Sequence, residues 1–291
     1  MLKQELRHPI LEKIEFGNGT ESKLIIFWRA DMNWPKISVI TPSYNQGKYI
    51  EDTIKSVINQ DYPNLEYIII DGGSTDETIE IIKKYEHKIH YWCSEKDNGQ
   101  TDALIKGFNL ATGDIYCWLN SDDIFEPNTL KTVAQFFIDN PEAEFVYGNA
   151  VWIDENSRVL YERKEMPFVK WVWLYTYNYI PQPSTFWKSS LYRKVGGLDP
   201  KFTLSMDGDL FARFSNYTHL NHIPVTLSRF RYYKEQRNQK FREKSLQEDR
   251  LIISRELGRE PTFIEMKTIG FIGRIYRWIY RNIYLRMNEN A

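Results

Sequence analysis

Cysteine is nearly absent: the 291 residues include two, Cys93 and Cys117. Two thiols cannot build a disulfide framework or a cysteine-only zinc site. Both lie in apolar runs, so buried free thiols and a reducing compartment are expected. Long hydrophobic runs are missing as well. The most apolar stretch, residues 171–180, is half a membrane span and contains Thr176 and Asn178, whereas a crossing helix needs about 20 apolar residues. The opening segment MLKQELRHPILEKIEF has no apolar run of the secretory kind. A cytoplasmic chain is expected, one that touches the inner face of the cell membrane at most. Net charge is also scarce. The 38 basic and 39 acidic residues leave −1, which excludes a chain that is basic throughout, as dedicated nucleic-acid binders usually are. Gly-x-Ser-x-Gly, P-loop, Gly-x-Gly-x-x-Gly and His-Glu-x-x-His motifs are all missing, which weakens hydrolase, kinase, dehydrogenase and metalloprotease readings.

What is present is aromatic. Phe, Tyr and Trp make up 15% of the chain, against ordinary shares of 42% hydrophobic and 26% charged residues. Residues 1–35 show no strong period and read as an extension that packs on the main domain. From there strands and helices alternate. Ile37-Ser38-Val39-Ile40-Thr41 is a short apolar strand. Ile50, Ile54, Val57 and Ile58 recur at helical spacing. Ile68-Ile69-Ile70 is a continuous apolar run of the kind a central parallel strand requires. Ser74 and Glu77 form a capping-box pattern before the next helix. Strands at 89–93, 114–119 and 144–147 and helices at 101–111 and 128–138 complete five alternations. Such a pattern gives a mostly parallel sheet with helices on both faces, and ligands collect at the carboxyl ends of its strands.

The polar residues at those ends are the candidate site. They are Ser43-Tyr44-Asn45, Asp71, Glu95-Lys96-Asp97 and Asn120-Ser121-Asp122-Asp123. The Asp122-Asp123 pair suits a hard divalent cation that shares phosphate oxygens, or a loop that caps the helix after Pro127. Asp71 beside Gly72-Gly73 suits either a ligand's N–H groups or a turn. Asp207 and Asp209 open a later helix, where acidic residues complement the dipole; a carboxylate there could also serve as a general base. His222, in a strand near 219–223, reads as a packed or surface histidine. Further on, a hairpin spans 151–162, an aromatic stretch 171–179, a late strand 225–232 and a charged helix 235–257.

Seven segments in order resemble glycosyltransferase family 2, with its GT-A fold: ISVITPSYNQ, YIIIDGGSTD, EKDNGQTDALIKG, WLNSDD, YIPQPSTF, VGGLD and MDGDL. The resemblance covers residues 35–235. It implies a catalytic domain over 36–235, with a nucleotide-sugar half at 36–150 and an acceptor half at 151–235. Helices at 236–291 would follow. It also implies an inverting transfer from a nucleotide-diphosphate sugar, commonly UDP-linked, to a hydroxyl of a glycan or lipid-linked acceptor, with no nucleic acid involved. Pro42, Ser43 and Tyr44 match the loop over the nucleotide, and Asp71 the carboxylate that reads the base. Asp97 and Asp102 match acidic positions of the donor pocket. Asp122 and Asp123 match the Asp-x-Asp element; Asp123 is expected to bind Mg2+ or Mn2+ and Asp122 the donor. Asp207 matches the catalytic base, with Asp209 as the second candidate.

The chain departs from the family in places. Many relatives carry Arg at Asn98 and Asn at Ile105. Many also end the late strand with Arg-x-His, where this chain reads Phe230-Arg231-Tyr232-Tyr233-Lys234. Arg231, Lys234 and Arg237 are therefore candidates for the diphosphate. The Gln-x-x-Arg-Trp element of processive synthases is missing, which favours single additions. Two rivals remain on these grounds: a nucleotidyltransferase and a non-catalytic nucleotide-sugar-binding module. The tail, 263–287, sets Arg274, Arg277 and Arg281 on one face and Phe271, Ile272, Ile275, Ile279 and Ile283 largely opposite. That pattern suits either a helix in a membrane interface or one packed on protein.

Overall fold

In the computed structural model, residues 10–16, 21–27, 33–234, 236 and 240–284 are described. Residues 1–35 and 36–291 form two compact units. The first contains an antiparallel hairpin of β1 (Ile10–Phe16) and β2 (Glu21–Phe27), with Ile10 opposite Phe27.

Among the described residues, the second unit is built on one nine-stranded sheet. Its first half follows the alternation in the sequence. The elements are β3 (Ile37–Ser43), α1 (Ile50–Ile58), β4 (Leu65–Asp71), α2 (Thr78–Tyr85), β5 (Tyr91–Ser94), α3 (Gln100–Leu110) and β6 (Ile115–Trp118). The strands pair in parallel in the order β5-β4-β3-β6. Ile68, Ile69 and Ile70 are at most 1% exposed, because helices cover both faces of β4 and polar alternation would strand side chains in apolar surroundings.

Beyond β6 the sheet becomes mixed, within the mostly parallel sheet expected. It adds β7 (Ile124–Phe125), β8 (Phe145–Ile153), β9 (Val159–Arg163), β10 (Thr185–Lys188) and β11 (Asn221–Arg231). β10 runs antiparallel between β6 and β8, while β8 and β11 are parallel. The β8–β9 hairpin matches the expected one. Its further helices among the described residues include α4 (Thr129–Asp139), α5 (Lys170–Tyr175), α6 (Ser189–Lys194), α7 (Met206–Phe214), α8 (Arg242–Leu257) and α9 (Phe263–Ile279). Much of the aromatic excess is spent here. Trp187 packs edge-on against Trp118 at 5.5 Å between centroids, and Phe145 contacts Trp187, Phe211 and Phe214. Each such pair adds about 1 kcal/mol beyond area burial. This cluster joins β6, β8 and β10 to α7, and so fixes α7 against the strand ends.

The capping box does not form at α2. Ser74 Oγ donates instead to Asp71 Oδ1 at 2.5 Å, and Asp76 Oδ1 takes the Thr78 amide. A stronger carboxylate acceptor nearby outcompetes the local pattern. A capping box does form at α9, between Thr262 and Glu265. Cys117 is buried and its thiol is pushed well up by burial; Cys93 is half-buried, and both are free.

Candidate active site

A cleft of about 1460 Å³ opens at the carboxyl ends of β3, β4 and β6. Pro42, Ser43 and Tyr44 line one side, with Tyr44 60% exposed. Gly72 brings its backbone against the Asp97 carboxylate: a Cβ there would meet Asp97 Oδ2 at 2.8 Å. Asp97 lines the cleft and accepts the Gly99 amide at 2.8 Å.

Asp71 stands behind this wall. It is fully buried, and its carboxylate accepts from the Gly73 and Ser74 amides and from the Ser74 and Ser94 hydroxyls at 2.5–3.0 Å. Its direct work is to hold loop 72–74 against β5. Asp102 accepts from the Asn98 amide and side chain at the start of α3. Neither Asp71 nor Asp102 is among the cleft-lining residues.

The two members of the Asp122-Asp123 pair face opposite ways. Asp122 lines the cleft, and its Oδ2 accepts from the Tyr233 hydroxyl at 3.0 Å. Asp123 is 1% exposed beneath it. There Oδ1 takes the Arg231 amide at 2.9 Å, Oδ2 takes Asn120 Nδ2 at 3.2 Å, and the backbone carbonyl takes Thr53 Oγ1. Burial, followed by the Asp122 charge, holds Asp123 well above the carboxylate range. The cleft-facing carboxylate is therefore Asp122, one residue before the expected metal ligand. Among the described residues, no three His, Cys, Asp or Glu side chains gather as a metal cage. Asp122 alone of this pair still fits Mg2+ or Mn2+, which take few protein oxygens and fill their shell from phosphate and water.

Arg231 does not face the cleft. It is 1% exposed, and its guanidinium donates to the carbonyls of Asp122, Asp154 and Glu155 and to Ser157 Oγ, over the Tyr49 ring. A planar fork with five donors suits tying the 122–123 loop to the β8–β9 turn. Lys234 is exposed in a turn outside the lining, and Arg237 lies outside the described residues. The residue that does reach Asp122 from this strand end is Tyr233, to which the sequence reading assigned no role. Burial and the neighbouring Asp122 push its phenol up, so it stays a donor.

On the opposite wall, α7 presents Asp207 to the cleft. Burial pushes its carboxyl up to about 6, opposed by the Gly208 amide and reinforced by Asp249. Asn178 orients it: Asn178 Nδ2 donates to Asp207 Oδ2 at 2.9 Å. The Asn178 amide is itself held in one orientation, because its Oδ1 accepts from Trp173 Nε1 at 3.0 Å and from the Ile180 amide at 3.2 Å. Asn178 was visible in sequence only as a polar interruption of the aromatic stretch. Asp209, two residues after Asp207, points away from the cleft. It is fully buried and ion-paired with Arg213 at 2.5 Å and with Arg255 of α8. That double pairing gives it a structural task and leaves Asp207 as the carboxylate available to a ligand.

Between the walls, Gln100, Asn120 and Gln182 form a hydrogen-bonded floor. Gln100 Nε2 donates to Asn120 Oδ1 at 2.8 Å and Asn120 Nδ2 to Gln182 Oε1 at 3.1 Å. His222 lies outside the cleft, neutral, with Nε2 3.0 Å from Asn149 Oδ1 and its pKa lowered by burial to about 4. The arrangement combines a wall of loops for one ligand, a carboxylate for a cation, and a facing carboxylate with the affinity of a general base.

Comparison with known proteins bears on the family and the fold. Residues 38–195 match the family described as Glycosyl transferase family 2. An uncharacterized glycosyltransferase of Mycobacterium tuberculosis is 32% identical over 181 residues, covering 62% of this chain and 68% of that one. TuaG of Bacillus subtilis, named as a teichuronic acid biosynthesis glycosyltransferase, is 40% identical over 111 residues, covering 37% and 44%. Among solved structures, S. aureus TarS in complex with UDP-GlcNAc has a TM-score of 0.63 at 20% identity, covering 81% of this chain and 70% of that one. The mannosyltransferase PcManGT from Pyrobaculum calidifontis, in complex with GDP-Man and Mn2+, has a TM-score of 0.60 at 18% identity, covering 84% and 73%.

Proposed function

The chain belongs to glycosyltransferase family 2 and has a GT-A-like mixed α/β fold; on that premise we propose that it is an inverting enzyme that moves a sugar from a UDP-linked donor to a hydroxyl of a glycan or lipid-linked acceptor. The observation that carries this reading is Asp207, held in the cleft by Asn178 with its carboxyl raised to about 6. A base with that affinity is ionised at neutral pH and still accepts a proton readily.

The donor lies on the 36–150 side. Tyr44 offers its exposed ring to the base, and Pro42, Ser43, Gly72 and Asp97 wall the pocket. Asp71 and Asp102 act one step back, by holding the loops that form this wall. Asp122 would hold Mg2+ or Mn2+, whose positive charge would stabilise the leaving diphosphate. The acceptor lies on the 151–235 side, against Trp173, Tyr177 and Tyr179. Asp207 takes the proton of the acceptor hydroxyl as its oxygen bonds to the anomeric carbon. The bond from that carbon to the diphosphate breaks on the opposite face. Helices α8 and α9 line the outer wall. The donors in the TarS and PcManGT complexes support a nucleotide-sugar ligand by likeness of fold.

The test is a thermal-shift screen of UDP- and GDP-sugars with Mn2+, followed by release of free nucleoside diphosphate. A ligand that binds only the folded state raises its apparent stability. Stabilisation by a UDP-sugar and Asp207-dependent release are expected. Binding without turnover would favour the non-catalytic module, and no stabilisation by any nucleotide sugar would refute the donor assignment.

A further inference from the structure

The fold leaves the outer side of α9 unused. The helix lies on the domain through Gly270, Gly273 and Arg277, all buried. A Cβ at Gly270 would meet the Tyr175 carbonyl at 2.6 Å, so α9 and α5 touch backbone to backbone. Arg277 pairs with Glu165 and stacks between Tyr177 and Tyr179. Arg277 is therefore a buried anchor, not a member of an exposed basic face.

The other side of the helix exposes Ile264, Phe271, Ile272, Ile275, Trp278 and Ile279, with Phe271 58% and Trp278 59% accessible. At 3.6 residues per turn these six positions fall within a sector of about 120°. Lys267 and Arg274, spaced seven residues apart, form an exposed row between that sector and the buried side, and Arg281 is exposed in the π-helical turn that follows the helix, Tyr280–Tyr284. An apolar face carrying Trp and edged by cations is the pattern of a helix lying in a membrane interface.

We propose that α9 docks on an anionic lipid surface. Its apolar sector sinks to the headgroup–acyl boundary and Lys267, Arg274 and Arg281 meet the headgroups. Charge selects lipid over a second copy of this chain. The face is edged by exposed Lys267, Arg274 and Arg281, and the one acidic residue of α9, Glu265, is already paired with Arg259, so two such faces would repel across a twofold axis. The position of the cleft agrees. Phe263, Met266, Lys267 and Arg274 of α9 line the same cavity as Asp207, so a docked bilayer lies at the cleft rim. That placement deepens the acceptor half of the proposed function and rests on it: an acceptor carried on a lipid enters from the surface side. The docking itself does not depend on that reading. Among the described residues, no helix is long and apolar enough to cross the bilayer.

The experiment is co-sedimentation of the full chain with vesicles of phosphatidylcholine alone, and of phosphatidylcholine mixed with phosphatidylglycerol. No donor or acceptor is added, so failure here leaves the Asp207 experiments untouched. Binding is expected to be tighter on the mixed vesicles, on the order of 100-fold for three cations, and to weaken with salt. The pair Phe271→Asp and Trp278→Asp should abolish binding at an unchanged melting temperature. If that protein does not fold, Ile275→Ser with Trp278→Ser should weaken binding by about tenfold or more. Equal binding to both vesicle types, binding that survives these substitutions, or a salt-stable dimer that they dissociate would overturn the proposal.

Discussion

Replacing Asp207 with Asn separates what the charge costs from what it does. Burial raises this carboxyl from 3.8 to about 6. Two units at 1.36 kcal/mol each mean that ionising Asp207 costs the folded chain about 3 kcal/mol, less whatever solvent screening returns to a partly exposed group. The sign follows from the direction of the shift. A folded-state value above the unfolded one favours the protonated fold. The resulting stability is full below pH 3.8 and is lost as pH rises to about 6. At neutral pH the charge is a net cost. Asp207→Asn keeps the shape and can still accept from Asn178, so it should be more stable than the parent by about 1–2 kcal/mol. In a domain of this size that raises Tm by roughly 4 °C. Below about pH 4 the difference should vanish. Transfer should fall by about 10²–10⁴, and the parent's kcat/KM should drop about tenfold per pH unit below about 6. Calorimetry at neutral and acid pH, with nucleoside diphosphate release as the activity assay, reads all three. A less stable Asn variant with full turnover, or a parent rate flat through pH 6, would refute the reasoning.

Other residues separate in the same assays. Asn178→Ala removes a donor from the ionised form of Asp207, so the acid limb of the pH–rate profile should move up, with kcat reduced about tenfold; a profile that does not move would remove Asn178 as a positioning residue. Asp209→Ala leaves Arg213 and Arg255 without their shared partner and should cost about 3 kcal/mol in chemical denaturation, while enzyme that remains folded keeps its pH profile. Asp122→Asn should abolish stimulation by Mn2+ whereas Asp123→Asn should chiefly lower stability; reversal of the two outcomes would return the metal to Asp123. Gly270→Ala forces α9 off the Tyr175 carbonyl and should destabilise by about 1–3 kcal/mol, read by thermal melting.

The elements that sequence reading located well are those whose residues are set by their own neighbours. Ile68-Ile69-Ile70 can be little but a central strand, and Ile50, Ile54 and Val57 mark a helix face whatever packs on it. The capping pattern at Ser74 failed because its hydroxyl had a better acceptor in Asp71, three residues away but turned toward it by the strand end. Tyr233 escaped notice because a tyrosine after a strand has no signature. Its role comes from Asp122, 111 residues away.

Strand ends in a doubly covered sheet must emerge on common rims, and that constraint alone brought Ser43, Asp97 and Asp122 to one cleft from their order in the chain. Which member of each acidic pair serves the cleft was not decided locally. Asp122 and Asp123 are adjacent, and Asp207 and Asp209 share a helical turn, so propensity and periodicity treat each pair alike. The choice came from distant partners. The Arg231 amide takes Asp123 into the interior, and Arg255 from α8 takes Asp209. The same holds for the tail, where Gly270, Gly273 and Arg277 settle on α5 and β9-side residues and the apolar face is left outward. A side chain's direction is set by the hydrogen bonds and ion pairs that desolvation makes obligatory, and those are formed between segments the chain order keeps far apart.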